Sequence, residues 1–92
     1  MVVVHAEARD EHWLCDVTVD QSGRRTRHIV TVRRADIERW GDGTEREDVE
    51  SLVARSFDFL LEREPPSAIL ASFELSVIQR YFAEYDSRFR RR

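Results

Sequence analysis

Residues 56–86, SFDFLLEREPPSAILASFELSVIQRYFAEYD, hold six of the nine aromatic residues of a 92-residue chain, arranged around the paired prolines Pro65 and Pro66. A block this apolar marks a core rather than a reaction centre. Any helix through Phe57 must end before Pro65, because the residue preceding a proline is disfavoured in the α region. Pro66 suits the first turn of a following helix, where its missing N–H costs nothing.

Upstream of the prolines, Val49, Leu52, Val53, Phe57, Phe59, Leu60 and Leu61 step at about 100° per residue. They cover an arc of roughly 200°, about twice the stripe that a surface helix buries. A main helix over 45–64 that must be covered on two sides follows. Thr44-Glu45-Arg46-Glu47 has the form of a capping box at its start. Its remaining arc, Glu47, Asp48, Ser51, Arg55, Asp58 and Glu62, suits solvent.

Downstream, Ile69, Leu70 and Phe73 fall on one side of a short element, and Ser76-Val77-Ile78-Gln79 is a second capping box opening a last helix. Val77, Ile78, Tyr81, Phe82, Tyr85 and Phe89 share one face of it. The spacing predicts C-terminal helices over 66–89 and a basic tail at 90–92.

The N-terminal third has a period of two. Val2, Val4, Ala6 and Ala8 alternate with polar residues, and Asp10 and Glu11 break the pattern. The apolar set is then odd from His12 to Asp20 (Trp13, Cys15, Val17, Val19) and even from Thr26 to Arg33 (His28, Val30, Val32), with Ile29 the exception. Asp20-Gln21-Ser22-Gly23 between them is a turn cluster. An odd-faced strand pairs with an even-faced one through a loop of two or four residues, so residues 2–33 read as a β region. Ala35–Trp40 reads as a short helix closed by Gly41.

Together these elements predict one α+β domain over 1–92. An antiparallel hairpin or small three-stranded sheet packs on a central helix, and two short C-terminal helices close the other side. Whether the first strand joins the sheet is left open by the pattern.

Composition sets further bounds. Hydrophobic residues at 41% with 36% charged residues describe a folding chain, not a disordered one. All fifteen basic residues are arginine and the net charge is −3, which disfavours a generic polyanion binder. Residues 36–64 carry ten acids against four arginines, while both flanks are weakly basic. A single cysteine, Cys15, fits a reducing compartment. With no secretory leader in MVVVHAEARDEHW and no apolar run long enough to span a bilayer, the cytoplasm is expected and the membrane is not.

Reactive constellations are thin. Cys15 and His28 share the inward face of adjacent strands, the nearest approach to a thiolate–imidazole pair, but no orienting carboxylate accompanies them. His5, His12, His28 and Cys15 lack zinc-site spacing, and the pleat sends His12 away from Cys15. Asp58 and Glu62 are four apart on an exposed helical face. No phosphate-cradling glycine loop is present. No catalytic, cofactor or metal residue is therefore assigned. Arg24, Arg25 and Arg27 near the hairpin turn, with Arg33 and Arg34 at the strand end, form a candidate contact surface for a partner or for nucleic acid. Arg88, Arg90, Arg91 and Arg92 make a second basic cluster.

The run Phe59-Leu60-Leu61-Glu62-Arg63-Glu64-Pro65, then Ile69-Leu70, then Phe73-Glu74-Leu75-Ser76-Val77-Ile78-Gln79-Arg80-Tyr81-Phe82 and Glu84-Tyr85, resembles a group of short uncharacterised bacterial proteins. They pair an N-terminal hairpin with this helical block, and His28-Ile29-Val30-Thr31-Val32 is similar to theirs. The resemblance covers about residues 12–86 and departs at Ala83, where the group has proline. It implies an α+β fold and a bacterial source, and no activity.

The expected function is a small non-enzymatic protein-interaction or accessory module, homo-oligomeric or docked to a protein partner through an exposed hairpin edge. The alternative is a nucleic-acid-associated regulator of the antitoxin type using the arginine-rich hairpin surface.

Overall fold

Ser22 and Gly23 take φ of 53° and 76°, the positive values that a two-residue hairpin turn requires. They join β2 (His12–Gln21) to β3 (Arg24–Arg33), which pair antiparallel from Gln21↔Arg24 to His12↔Arg33. This register faces the odd set of β2 and the even set of β3 to the same side, as the alternation demands. β1 (Val2–Ala8) does join the sheet, antiparallel to β2 with Val2↔Val19 and Ala6↔Cys15. The computed structural model describes residues 1–90; Arg91 and Arg92 of the expected tail lie outside the described residues.

After β3 come α1 (Arg34–Trp40) and α2 (Arg46–Leu61). A single turn of 3-10 helix, Pro66–Ala68, then leads to β4 (Ser72–Glu74), α3 (Val77–Tyr81) and α4 (Glu84–Phe89). The sheet has four strands in the order β1-β2-β3-β4, with β4 parallel to β3. That arrangement corrects the expected three strands and the all-helical 66–89. A strand of three residues with one buried side chain, Phe73, is too short to print a period of two. Its place is fixed from outside, by Ile29 N–H donating to the Ala71 carbonyl (2.8 Å) and Leu75 N–H donating to the Thr31 carbonyl (2.9 Å). Two helices between β3 and β4 supply the crossover that a parallel neighbour needs.

Two further details differ from expectation. The cap of α2 is Glu45, whose N–H donates to Asp48 Oδ2 at 3.0 Å, so the box is shifted one residue from Thr44. Ser76 makes no side-chain cap bond. The last helix is also not continuous. At Phe82 the backbone opens to φ −132°, ψ 92°, splitting α3 from α4 and turning Tyr81 away from Tyr85.

The helices cover one face of the sheet, onto which Ala6, Cys15, Val17, Val19, His28, Val30, Val32 and Phe73 project. α2 is two-sided, as its wide apolar arc requires. Phe57 faces the sheet, with ring centroids 5.3 Å from His28 and 6.1 Å from Phe73. Phe59 faces the C-terminal helices, 5.3 Å from Tyr85, 5.9 Å from Phe89 and 6.1 Å from Phe82.

Ser56 lies between them, fully buried. Its hydroxyl donates to the Leu52 carbonyl at 2.7 Å and meets the Tyr85 hydroxyl at 2.7 Å. With the Ser56 proton committed to Leu52, Tyr85 donates to Ser56. Removing either end therefore has unequal effects. Tyr85→Phe leaves Ser56 still bonded and should cost about 0.5–1.5 kcal/mol, whereas Ser56→Ala strands a buried phenol and should cost about 1–3 kcal/mol. Urea unfolding of the two variants measures the difference.

Candidate interaction site

Of the candidate arginines, Arg25, Arg27 and Arg33 lie on the outer face of β3 and each is met by an acid from a neighbouring strand. Arg25 donates to Asp20 (3.0 Å), Arg27 to Asp16 (2.8 Å) and Arg33 to Glu74 (2.8 Å). The Glu74 carboxyl is held below its ordinary range chiefly by the Arg33 hydrogen bond, and the same bond raises Arg33. Arg24 and Arg34 are exposed and form no ion pair among the described residues. Arg24 and Arg33 open and close a ten-residue strand, roughly 30 Å apart at about 3.3 Å per residue. The five residues are two separated ends joined by neutralised pairs rather than one basic patch.

The remaining sequence candidates are also placed. Cys15 opposes Val30, and His28 opposes Val17, so the two are offset along the strands. Both ring nitrogens of His28 are engaged, Nδ1 donating to the Leu70 carbonyl (2.8 Å) and Nε2 pairing with the Thr26 hydroxyl (2.9 Å). Neither is directed at the thiol. His5 is exposed on the outer face, away from Cys15 and His28. His12 begins β2 opposite Arg33. Glu62, which caps the C-terminus of α2, is bound by Arg63 (3.2 Å) and Arg88 (3.6 Å), and Asp58 of α2 is exposed.

Burial pushes the Cys15 thiol up to about 12, with the charge of Glu50 adding to the effect. The Tyr85 phenol is raised in the same way, against a smaller lowering by Ser56. Both groups are neutral when folded and ionise more readily when unfolded. Their contribution is thus fully present below the unfolded thiol value of 9.0 and is lost as pH rises above it. The thermal midpoint should fall above pH 9, and fall less steeply in Cys15→Ala, as a melting series from pH 7 to 10.5 would measure.

Residues that carried no site assignment from the sequence come together at the β4 end. Leu60 and Glu64 of the α2 end, Ala68 to Leu70, Phe73, and Val77, Ile78, Tyr81 and Phe82 line an apolar groove of about 470 Å³. Leu70 is 50% exposed and Tyr81 70% exposed. A continuous helix would put Tyr81 on one face with Tyr85 and Phe89; the break at Phe82 is what puts it at the surface.

The groove runs beside an uncovered strand edge. In β4, Ala71, Phe73 and Leu75 direct backbone groups to β3, so by alternation Ser72 and Glu74 direct theirs outward. Those outward groups have no partner among the described residues. The opposite edge is partly blunted, because Glu50 reaches from α2 to accept the Ala6 N–H at 2.9 Å, a device that discourages edge pairing.

Comparison of the chain with protein families, curated proteins and solved structures finds no match. No helix among the described residues is long and apolar enough to cross a membrane.

Proposed function

We propose that this chain is a small non-enzymatic protein-interaction module whose contact surface is the β4 end. The observation that carries the reading is the groove open at Leu70 and Tyr81, set against an interior in which no buried side-chain polar atom among the described residues lacks a partner. Large apolar side chains exposed together over a concavity suit a binding surface. Tyrosine in particular supplies contact area at low entropic cost.

A photoreactive phenylalanine at position 81, compared with one at the exposed Glu38 of α1, tests this in cells expressing the chain at its native level. The expected result is an adduct of discrete mass from position 81 only, lost when Leu70 is also changed to aspartate. Equal adducts from both positions, or none, would refute the reading. A product of twice the chain's mass would identify a homo-oligomer as the assembly. The second reading, a nucleic-acid regulator, draws on the exposed Arg24 and Arg34, which form no ion pair among the described residues. It would be favoured instead by a shift of duplex or single-stranded probes at low salt that is lost steeply as salt rises.

A further inference from the structure

Resting on that reading, we propose that the β4 edge accepts an extended segment of a partner protein as a fifth strand. The segment would place one large apolar side chain in the groove and a basic side chain beside Glu64.

Three independent features of the β4 end specify this occupant. The first is backbone chemistry. The outward N–H and C=O groups of Ser72 and Glu74 match the alternate groups of an extended chain, the basis of strand addition. Three residues are too few to hold a strand by hydrogen bonds alone, so side-chain pockets must contribute. The second is the position of the groove. Phe73 points to the helical side of the sheet and lines the groove, so the residue of an incoming strand beside Phe73 would enter the same cavity, against Val77, Tyr81 and Leu70. Along that strand, side chains would alternate between groove and solvent.

The third feature is charge. Glu64 is the one ionised residue lining the groove, and it has no ion pair among the described residues. Arg24 and Arg25 line the adjoining concavity together with Glu64, yet Arg25 is bound to Asp20 and neither arginine pairs with Glu64. At the outer face of the same edge, Glu74 is already neutralised by Arg33. The one charged side chain in the groove lining itself is therefore acidic. An Arg or Lys two residues from the apolar anchor lies on the same face of the added strand and meets it.

The β1 edge does not offer this combination. Its Ala6 N–H is occupied by Glu50, and none of its residues lines the groove.

The test uses the full chain and a synthetic peptide with phenylalanine at its centre, arginine two places to either side and threonine between, read by fluorescence anisotropy. Replacing its phenylalanine by alanine should weaken binding at least about tenfold, the scale of losing a central anchor. N-methylation of alternate amides should weaken binding at least about tenfold in one set and less than about twofold in the other, because only one set faces β4. Glu64→Arg should reverse preference, favouring the peptide with glutamate for arginine.

Equal sensitivity to both N-methylated sets would overturn strand addition, and unchanged preference in Glu64→Arg would overturn the basic partner. A dimer in sedimentation that dissociates on Tyr81→Asp would assign the groove to a second copy and overturn a separate partner. Failure of all peptides with the position-81 adduct still formed would overturn the fifth strand alone. Failure of both experiments would remove the interaction reading with it.

Discussion

Replacing Phe57 by alanine is expected to remove about 3–5 kcal/mol of stability. For 92 residues the total is roughly 5–14 kcal/mol at 0.05–0.15 kcal/mol per residue, so the loss is a large share of it. Phe57 is fully buried and is a side chain by which α2 packs on the β3–β4 side of the sheet, beside both His28 of β3 and Phe73 of β4. Alanine would leave a cavity bounded by three elements. The backbone around it cannot collapse freely, because the β3–β4 pairing and the His28–Leu70 bond hold two of its walls. A urea titration followed by circular dichroism should show a single transition at markedly lower denaturant, and a shift of under about 1 kcal/mol would contradict this account of the core.

Trp40→Ala should have a comparable effect, again about 3–5 kcal/mol, by a different route. Trp40 is the largest fully buried side chain and ties α1 to α4. Its ring meets Tyr85 edge-on at 5.0 Å and its Nε1–H donates to Asp86 Oδ1 at 2.9 Å. Without it, α4 loses its attachment to α1 while retaining Phe59, so α4 amides should exchange faster than those of α2. Trp40→Phe keeps most of the ring and removes the donor, and should cost about 1–2 kcal/mol. The Asp86 carboxyl is held low by Arg90 first and by Trp40 second. A lowered carboxylate stabilises the fold above its ordinary value of 3.8 and loses that contribution as pH falls through the lowered value. The gap between wild type and Trp40→Phe should therefore narrow below pH 4.

These residues also show which parts of the fold were legible in sequence. The hairpin and its inward face could be read because a two-residue period puts Trp13, Cys15, Val17 and Val19 at one parity and His28, Val30 and Val32 at the other, with Leu14 and Ile29 the exceptions. The two-sidedness of α2 could be read because an apolar arc that wide cannot be hidden on one side, and Phe57 and Phe59 do face opposite layers. The strand β4 could not be read. Its identity comes from β3 across a long crossover, and Ser72-Phe73-Glu74 carries no local signature of that pairing. Ser56 escaped for a related reason, since a serine among apolar residues is ambiguous until Tyr85 is brought beside it from 29 positions away. The candidate arginines were found as residues, but their neutralisation by Asp16, Asp20 and Glu74 depends on strand register. The groove required both the unread strand and the break at Phe82, so nothing local could have announced it.

Amide hydrogen exchange at Ser72, Phe73, Glu74 and Leu75, with and without the phenylalanine–arginine peptide, tests most directly whether β4 is an open, recruiting edge. In the free protein the Ser72 and Glu74 amides should exchange quickly while Phe73 and Leu75 are protected by β3, and on adding the peptide the first two should become protected as well. Protection of all four in the free monomer, or rapid exchange of Ser72 and Glu74 that saturating peptide leaves unchanged, would contradict it.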